Sequence, residues 1–373
     1  MKPIVIIAAI SSRVYVQAAV DAGYEVIALD AFADADVRAI ARHTVLLTMP
    51  EQVLDEVEFK HTFLQLDLSN IHGFLYASLF DHCPDLLYWV ADRVRLIGNT
   101  PDVMQAAKSY SFFKLLDDLE IAHPEVRLTP PEAHHHWLAK KIGGTGGMHI
   151  KSIKQAAESD SFTEYYFQKA QTGTPISMLF VADGRLAKTI GFNQQLIAPT
   201  SELPYRFAGA VGSIVLPANI HDAFEQAAQK LTNALNLRGI NSLDAILSSD
   251  GSGDEKLWVL ELNPRLSASF QLYPKLLSLH MQGCEGRLGE FLPFTNQANA
   301  QYILYADKAL EVATDFVWPD WVADIPAAKN AQASVKIGLN EPICSVLAKA
   351  ENAETAHNLV LQLAKTIREM SRQ

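Results

Sequence analysis

Apolar positions recur along this chain with two periods, and their succession sets out the architecture. Pro3–Ile10 is an unbroken apolar run of strand type, and Val14–Ala22 carries helical spacing before Gly23, where a C-terminal cap belongs. Glu25–Leu29, ending at Asp30, reads as a second strand, and Val45–Thr48 and Thr62–Gln65 as two more, with helical stretches between. Strands alternating with helices indicate a parallel α/β unit. From Leu96 the texture changes. Gly98-Asn99-Thr100-Pro101 is a turn with a helix start, and one long helical stretch runs to about Leu119. Short strands follow at Trp137–Lys141 and Phe162–Lys169. Ile176–Ala182 is a strong strand, and Arg185–Gly191 returns antiparallel across Asp183-Gly184, a tight hairpin signal. Asp222–Leu237 sets Phe224, Ala227, Ala228, Leu231, Ala234 and Leu235 on one helical stripe. Asn241–Leu247 and Leu257–Asn263 read as two strands joined by a loop rich in Ser, Gly and Asp. Beyond Leu279, Ala300–Ala306, Ser334–Ile337 and Ile343–Lys349 are strand-like, and Glu354–Met370 is an amphipathic helix.

Candidate chemistry concentrates on the pair of strands around residue 250. Side chains two apart on a strand share a face, so Glu261 and Asn263 point one way and Leu260 and Leu262 the other. A hairpin closed symmetrically about Ser252/Gly253 sets Asp244 opposite Glu261. Facing carboxylates destabilise a sheet by about 0.2–1 kcal/mol, so a positive charge belongs between them. Two carboxylates and an amide suit hard Mg²⁺. An isolated acid pair is ordinarily solvated surface, but both acids here lie in apolar runs. Pro264 ends the second strand, and Arg265 follows on the exit loop, where a cation can meet a transferring phosphoryl group. Upstream, Gly143-Gly144-Thr145-Gly146-Gly147 comes soon after a strand ending in Lys140-Lys141. Alone it is a flexible hairpin tip; beside Lys140 and the acid pair it reads as a loop whose amides fold around phosphate oxygens. Lys108 and Lys114 lie on the preceding helix, six apart and so on different faces. His134–His136 reads as a solvated run.

Composition narrows the classes. A chain of 373 residues suggests two or three domains, placed at 1–97, 98–280 (with a lid-like subdomain near 125–175) and 281–373. Apolar content of 49% and charged content of 20% describe a soluble globular protein. A net charge of -11 argues against nucleic-acid partners. The cysteines, Cys83, Cys284 and Cys344, are too dispersed for a disulfide framework or a zinc site. No apolar run has the length to span a bilayer, and Pro3–Ile10 lacks a signal-peptide cleavage pattern, so the cytoplasm is expected. The turn Ala8–Arg13 carries no G-x-G-x-x-G, which argues against a nicotinamide or flavin dinucleotide, and no Walker A loop is present.

The order Lys108, Lys140 with the glycine loop, the strand end Gln168-Lys169-Ala170, then Asp244 and Glu261-Leu262-Asn263-Pro264-Arg265 resembles the ATP-grasp superfamily across Gly98–Leu279. Phe74–Asp81 and Trp318–Pro326 extend the likeness toward predicted ATP-dependent carboligases related to biotin carboxylase. The resemblance implies an α/β fold of grasp type: an N-terminal Rossmann-like parallel domain, an ATP-grasp domain and a small C-terminal α+β piece. It implies that Lys108 and Lys140 bind ATP phosphates and that Gly143–Gly147 closes over them. The backbone of Gln168–Ala170 would read adenine, with Ile142 or Leu260 against the ring. Asp244, Glu261 and Asn263 would hold Mg²⁺, and Arg265 would face the transferred phosphoryl group. One departure is that the turn after the hinge reads Gly173-Thr174-Pro175-Ile176, without the acid that many relatives carry.

The implied reaction joins a small-molecule carboxylate to an amine through an acyl phosphate, in a chain compatible with a homo-oligomer. A bicarbonate-using carboxylase and a catalytically silent nucleotide-binding module stand as alternatives. Some such proteins accompany methanopterin- and methanofuran-linked one-carbon metabolism. Substrate-facing candidates are Ser11, Ser12 and Arg13 at the carboxyl end of the first strand, with Tyr76 and Ser78. Gln194, Gln195, Tyr205 and Arg206 join them from a polar connection, and Ser267 and Ser269 from the stretch after Arg265.

Overall fold

In the computed structural model, residues 2–50, 53–132, 136–158, 162–249, 255–289, 297–313, 315–327 and 334–370 are described. Four strands, β1 (Ile4–Ala9), β2 (Glu25–Asp30), β3 (His43–Leu46) and β4 (Ile71–Tyr76), form a parallel sheet in the order β3-β2-β1-β4. Its helices are α1 (Arg13–Asp21), α2 (Ala35–Ile40), α3 (Glu56–Leu64) and α4 (Pro84–Ala91). β1 is apolar throughout because both of its faces are covered. Val5, Ile7 and Ala9 join the core under α1, while Ile6 and Ala8 pack toward Phe59, Phe63, Leu86 and Val90. The strand expected at Thr62–Gln65 is instead the end of α3. The Asp55 carboxylate accepts from the Val57 and Glu58 amides at 3.0 Å, which starts a helix. Phe59 and Phe63, one turn apart, then stack inward. Four residues were too few to choose between periods of 2 and 3.6. The fourth strand is Ile71–Tyr76.

The single long helix expected after Pro101 is two: α5 (Pro101–Lys108) and α6 (Ser111–Asp118). Ser109 is extended, and the elbow lets Val103 and Ala107 of one helix and Phe112, Phe113 and Leu116 of the other reach the same core. Lys108 thereby becomes the last residue of a helix, while Lys114 is exposed. A small antiparallel sheet follows, built from β5 (Val126–Arg127), β6 (Trp137–Lys141), β7 (Ile150–Ser152) and β8 (Tyr165–Lys169) in the order β5-β8-β6-β7. It is covered by α7 (Ile153–Ala157).

Among the described residues the largest sheet has eight strands. β9 (Thr174–Asp183), β10 (Ala187–Ile197), β11 (Phe207–Val211), β12 (Arg238–Ser249) and β13 (Glu255–Asn263) supply five. β14 (Ala298–Tyr305) comes next; β15 (Leu310–Val312) pairs apart with β17 (Val335–Ile337), while β16 (Val322–Ala323) and β18 (Pro342–Ala350) complete the order β13-β12-β9-β10-β11-β14-β18-β16. Gln194 and Gln195 therefore sit within β10, not in a connection. On one face α8 (Ala218–Leu235) shares its core with α5 and α6. On the other, α9 (Leu276–Cys284) joins this sheet to α1, so one apolar core runs beneath both large sheets. α10 (Ala353–Met370) covers β14 and β18. Ser252, Gly253, His134 and His135 lie outside the described residues.

Asn99 knots the chain where it leaves the parallel sheet. Its amide donates to Asn241 Oδ1 (2.8 Å) and to the Pro264 carbonyl (2.9 Å), and its oxygen accepts from the Arg238 amide (2.7 Å). The knot fixes the exit of β13 and hence Arg265. Asn99→Ala is expected to cost about 1–3 kcal/mol, because buried partners lose their bonds; urea denaturation measures it.

Candidate active site

The acid pair is produced by a bulge. From Ser249↔Glu255 to Ala245↔Val259 the β12–β13 register would set Asp244 opposite Leu260. The register shifts between Ala245 and Asp244, Leu260 is left over, and Asp244 pairs with Glu261. Bulges re-aim side chains in this way beside functional sites. A further consequence corrects the alternation expected for this strand. Leu257, Val259 and Leu262 enter the core, whereas Leu260 stays half-buried and lines the same cleft as Glu261.

Asn263 stands beside both acids, its amide nitrogen 3.1 Å from Asp244 Oδ2 and 3.2 Å from Glu261 Oε1. Its oxygen accepts from Lys108 Nζ at 2.6 Å and from Arg265 at 2.8 Å. Lys108 also lies 3.8 Å from Glu261 and 3.3 Å from Asp81. Gln195, from β10, bonds the Asp244 carboxyl. Burial, and next the charge of Glu261, push the Asp244 carboxyl up to about 7. For Glu261 burial acts upward too, but Lys108 foremost outweighs it and holds that carboxyl well below the usual range. Of the two, Asp244 is therefore the acid that takes a proton more readily. Lys140 is 6% exposed, close to both acids, and burial lowers its ammonium.

Asp81 was not singled out as a site residue from the sequence. It follows β4, is fully buried, and takes Arg265 in a two-pronged bridge, Oδ1–Nε 3.1 Å and Oδ2–Nη2 2.7 Å. Burial would raise its carboxyl, yet Arg265 and Lys108 outweigh that and lower it. The parallel sheet thus supplies the counter-charge that orients an arginine of the large sheet. Arg265 also reaches Thr145 Oγ1 at 3.4 Å.

The glycine loop is folded down onto this cluster. Gly147 has φ +73°, and a Cβ there would lie 1.8 Å from the Tyr205 carbonyl oxygen. Gly146 accepts the Phe207 amide at 2.9 Å. His149, also missed in the sequence, follows the loop; burial lowers its imidazole to about 4, and it lies within the fields of Glu261, Lys140 and Lys108. Only its adjacency to the glycines signalled it. At the hinge, the Lys169 and Ala170 amides already donate to the Glu125 and His136 carbonyls. Gln168 Nε2 is buried without a partner.

Other candidates fall elsewhere. Ser12 is fully buried and commits its amide and hydroxyl to Asp30. Arg206 donates to the Ala198 carbonyl and to Asn340, and lies 3.9 Å over the Tyr305 ring. Both serve the fold in this conformation. Ser78 is half-buried at the start of a 3-10 turn, Ser269 is buried in another, and Ser267 Oγ is buried and unpartnered.

Residues 106–269 match the family model of an ATP-grasp domain. Among solved structures, the biotin carboxylase domain of the Hydrogenobacter thermophilus 2-oxoglutarate carboxylase, in complex with MgADP, ADP and bicarbonate, is similar with a TM-score of 0.72. The identity is 11%, over 95% of this chain and 88% of that one. The Staphylococcus aureus N5-carboxyaminoimidazole synthetase complexed with ADP gives 0.69 at 12% identity, covering 98% of each. The L-amino acid ligase of Bacillus licheniformis gives 0.68 at 12%, over 98% of this chain and 97% of that one. No curated protein matches the sequence. Residues 106–269 are thus an ATP-grasp domain by the family match, set in a chain whose fold, a parallel α/β sheet followed by a large antiparallel one, is that of these solved structures.

Proposed function

We propose that the chain is an ATP- and Mg²⁺-dependent ligase that joins a carboxylate to an amine through an acyl phosphate, releasing ADP and phosphate. The carrying observation is the convergence of Asp244, Glu261 and Asn263 with Lys108, Lys140 and Arg265 beneath one glycine loop. The donor set suits magnesium: two facing carboxylates whose mutual repulsion raises Asp244, beside an amide whose half-turn offers its oxygen. When bound by Asp244, Glu261 and Asn263, the ion neutralises charge on the β- and γ-phosphate oxygens.

Lys108 and Lys140 hold the triphosphate as point charges. A substrate carboxylate attacks the γ-phosphorus and the bond to ADP breaks. An amine then forms the C–N bond as phosphate leaves the acyl carbon. Arg265, fixed by Asp81, faces the phosphoryl group and stabilises the charge that develops there. The loop 143–147 excludes water, which would hydrolyse the acyl phosphate. The cleft between α5, the loop, Tyr166 and Leu260 holds only about 20 Å³, so nucleotide entry requires the loop to lift from His82 and Tyr205. In this reading the small sheet β5–β8, within 125–175, is the lid, and Gln168 adds a donor at the adenine hinge.

A role in making a one-carbon carrier cofactor of methanopterin or methanofuran type stands on the sequence resemblance alone. A cytoplasmic setting supplies the ATP, and no helix among the described residues is long and apolar enough to cross a membrane. The test is ADP release from ATP and Mg²⁺ across pools of amino acids, amines and pterin- or furan-type acids. Release that needs both an acid and an amine is expected. Release with bicarbonate alone would replace the amide ligase by a carboxylase.

A further inference from the structure

A second polar cluster lies at the carboxyl ends of β1 and β2, outside the phosphate machinery. Arg13 Nε is 2.9 Å from Asp324 Oδ1 and 3.7 Å from Asp36 Oδ2, and the guanidinium also donates to Gln271. The Asp324 amide donates to Asp36 Oδ2 at 2.8 Å, and Asp324 holds a left-handed φ of 54°. Asp34 closes the group. It is 5% exposed, its side chain caps nothing, and its Oδ2 has no partner. Burial first, then the charges of Asp324, Asp30 and Asp36, push its carboxyl up to about 8, with Arg13 opposing. Asp30 is already satisfied by Ser12 and by the Phe32 and Ala33 amides. Asp36 and Asp324 thus share one guanidinium while Asp34 is left without a partner, and a buried carboxylate in that state is costly.

The cluster touches the turn that follows Arg265, through Gln271, which accepts from Arg13, and through Phe270, which packs edge-on against Tyr15. Tyr15, buried and edge-on to Phe270, feels the charge of Arg265 and also those of Asp324 and Arg13. We propose that this cluster receives the amine substrate as its ammonium ion, paired with Asp34, whose carboxylate takes the proton before the free amine attacks. The inference rests on the ligase reading. An ammonium brings three donors to acids that have one guanidinium among them. A divalent metal fits worse, because Arg13 already stands between two of these acids.

The test is calorimetric titration of the full chain, at pH 7 with Mg·ADP present. The probes are n-butylamine, benzylamine and 1,4-diaminobutane, each beside its hydroxyl counterpart. At least one amine should bind while its alcohol does not. Asp34→Asn should weaken that amine at least tenfold, leave Mg·ADP affinity unchanged and melt no lower than the parent. Asp36→Asn, half-buried at the edge of the cluster, should weaken the amine more mildly and serves as the second reading of the site. Equal binding of amine and alcohol, binding of no amine, or parental affinity in both variants overturns the proposal. Failure of the parent chain to bind Mg·ADP is a different result, which sinks the ligase reading itself.

Discussion

Exchange of Glu261 for Gln is expected to lower ATP turnover at least about 10³-fold, the scale on which loss of charge stabilisation at a phosphoryl centre is felt. The substitution keeps the volume of the side chain and the bulge that places it, so the fold should persist. What changes is the charge beside Asp244. The same pair gives a sign for pH. In the folded chain the Asp244 carboxyl stands near 7, above its ordinary value, so without metal its contribution to stability is present at low pH and is lost as pH rises through about 7. Magnesium competes with that proton and binds better as pH rises. The buried imidazoles of His149 and His280, lowered to about 4, act the other way below about pH 6.5, so the reading is the gain on adding Mg²⁺, which should grow between pH 5 and 8. Asp34 titrates in the same direction, so the difference between curves with and without Mg²⁺ is the quantity to read. Retained turnover in Glu261→Gln, or a Mg²⁺ gain equal at pH 5 and pH 8, removes the metal assignment.

The facing of Asp244 and Glu261 was legible from hairpin symmetry, but the route to it was not. The strands pair one residue out of step with that symmetry, and Leu260 bulges to restore it. An extra residue in a strand leaves no composition signal, because Leu260 is as apolar as its neighbours. The same blindness applies to Asp81. It pairs with a residue 184 positions away, and local sequence carries periodicity and turn chemistry, not the partner of a distant charge. Fold class was readable because β1 is an unbroken apolar run too short for a helix and bounded by turn residues, while α8 keeps a period of 3.6 over its whole length. Thr62–Gln65 was misread where the run was short and the deciding feature, the Asp55 cap, lay seven residues upstream. Ser12 looked free in the sequence because a serine at a strand end can face a ligand or a neighbouring acid, and only the placement of Asp30 decides.

Arg265→Ala is expected to destabilise the chain by about 3–5 kcal/mol, the cost of breaking a buried pair by removing one partner. Asp81 would keep only Lys108, at 3.3 Å, against full burial, and Asn263 would lose one of the two cations on its oxygen. Loss of activity in that variant would be uninformative by itself, since a partly unfolded enzyme is also inactive. The double exchange Arg265→Met with Asp81→Leu separates the two causes. Well-packed apolar replacements of a buried ion pair are often close to neutral for stability, so the double variant should recover most of the lost free energy in denaturant titration. It should not recover turnover, because no apolar side chain stabilises charge on a transferring phosphoryl group. A double variant that is folded and active would confine the bridge to holding the two sheets together and leave the chemistry to Lys108, Lys140 and the metal.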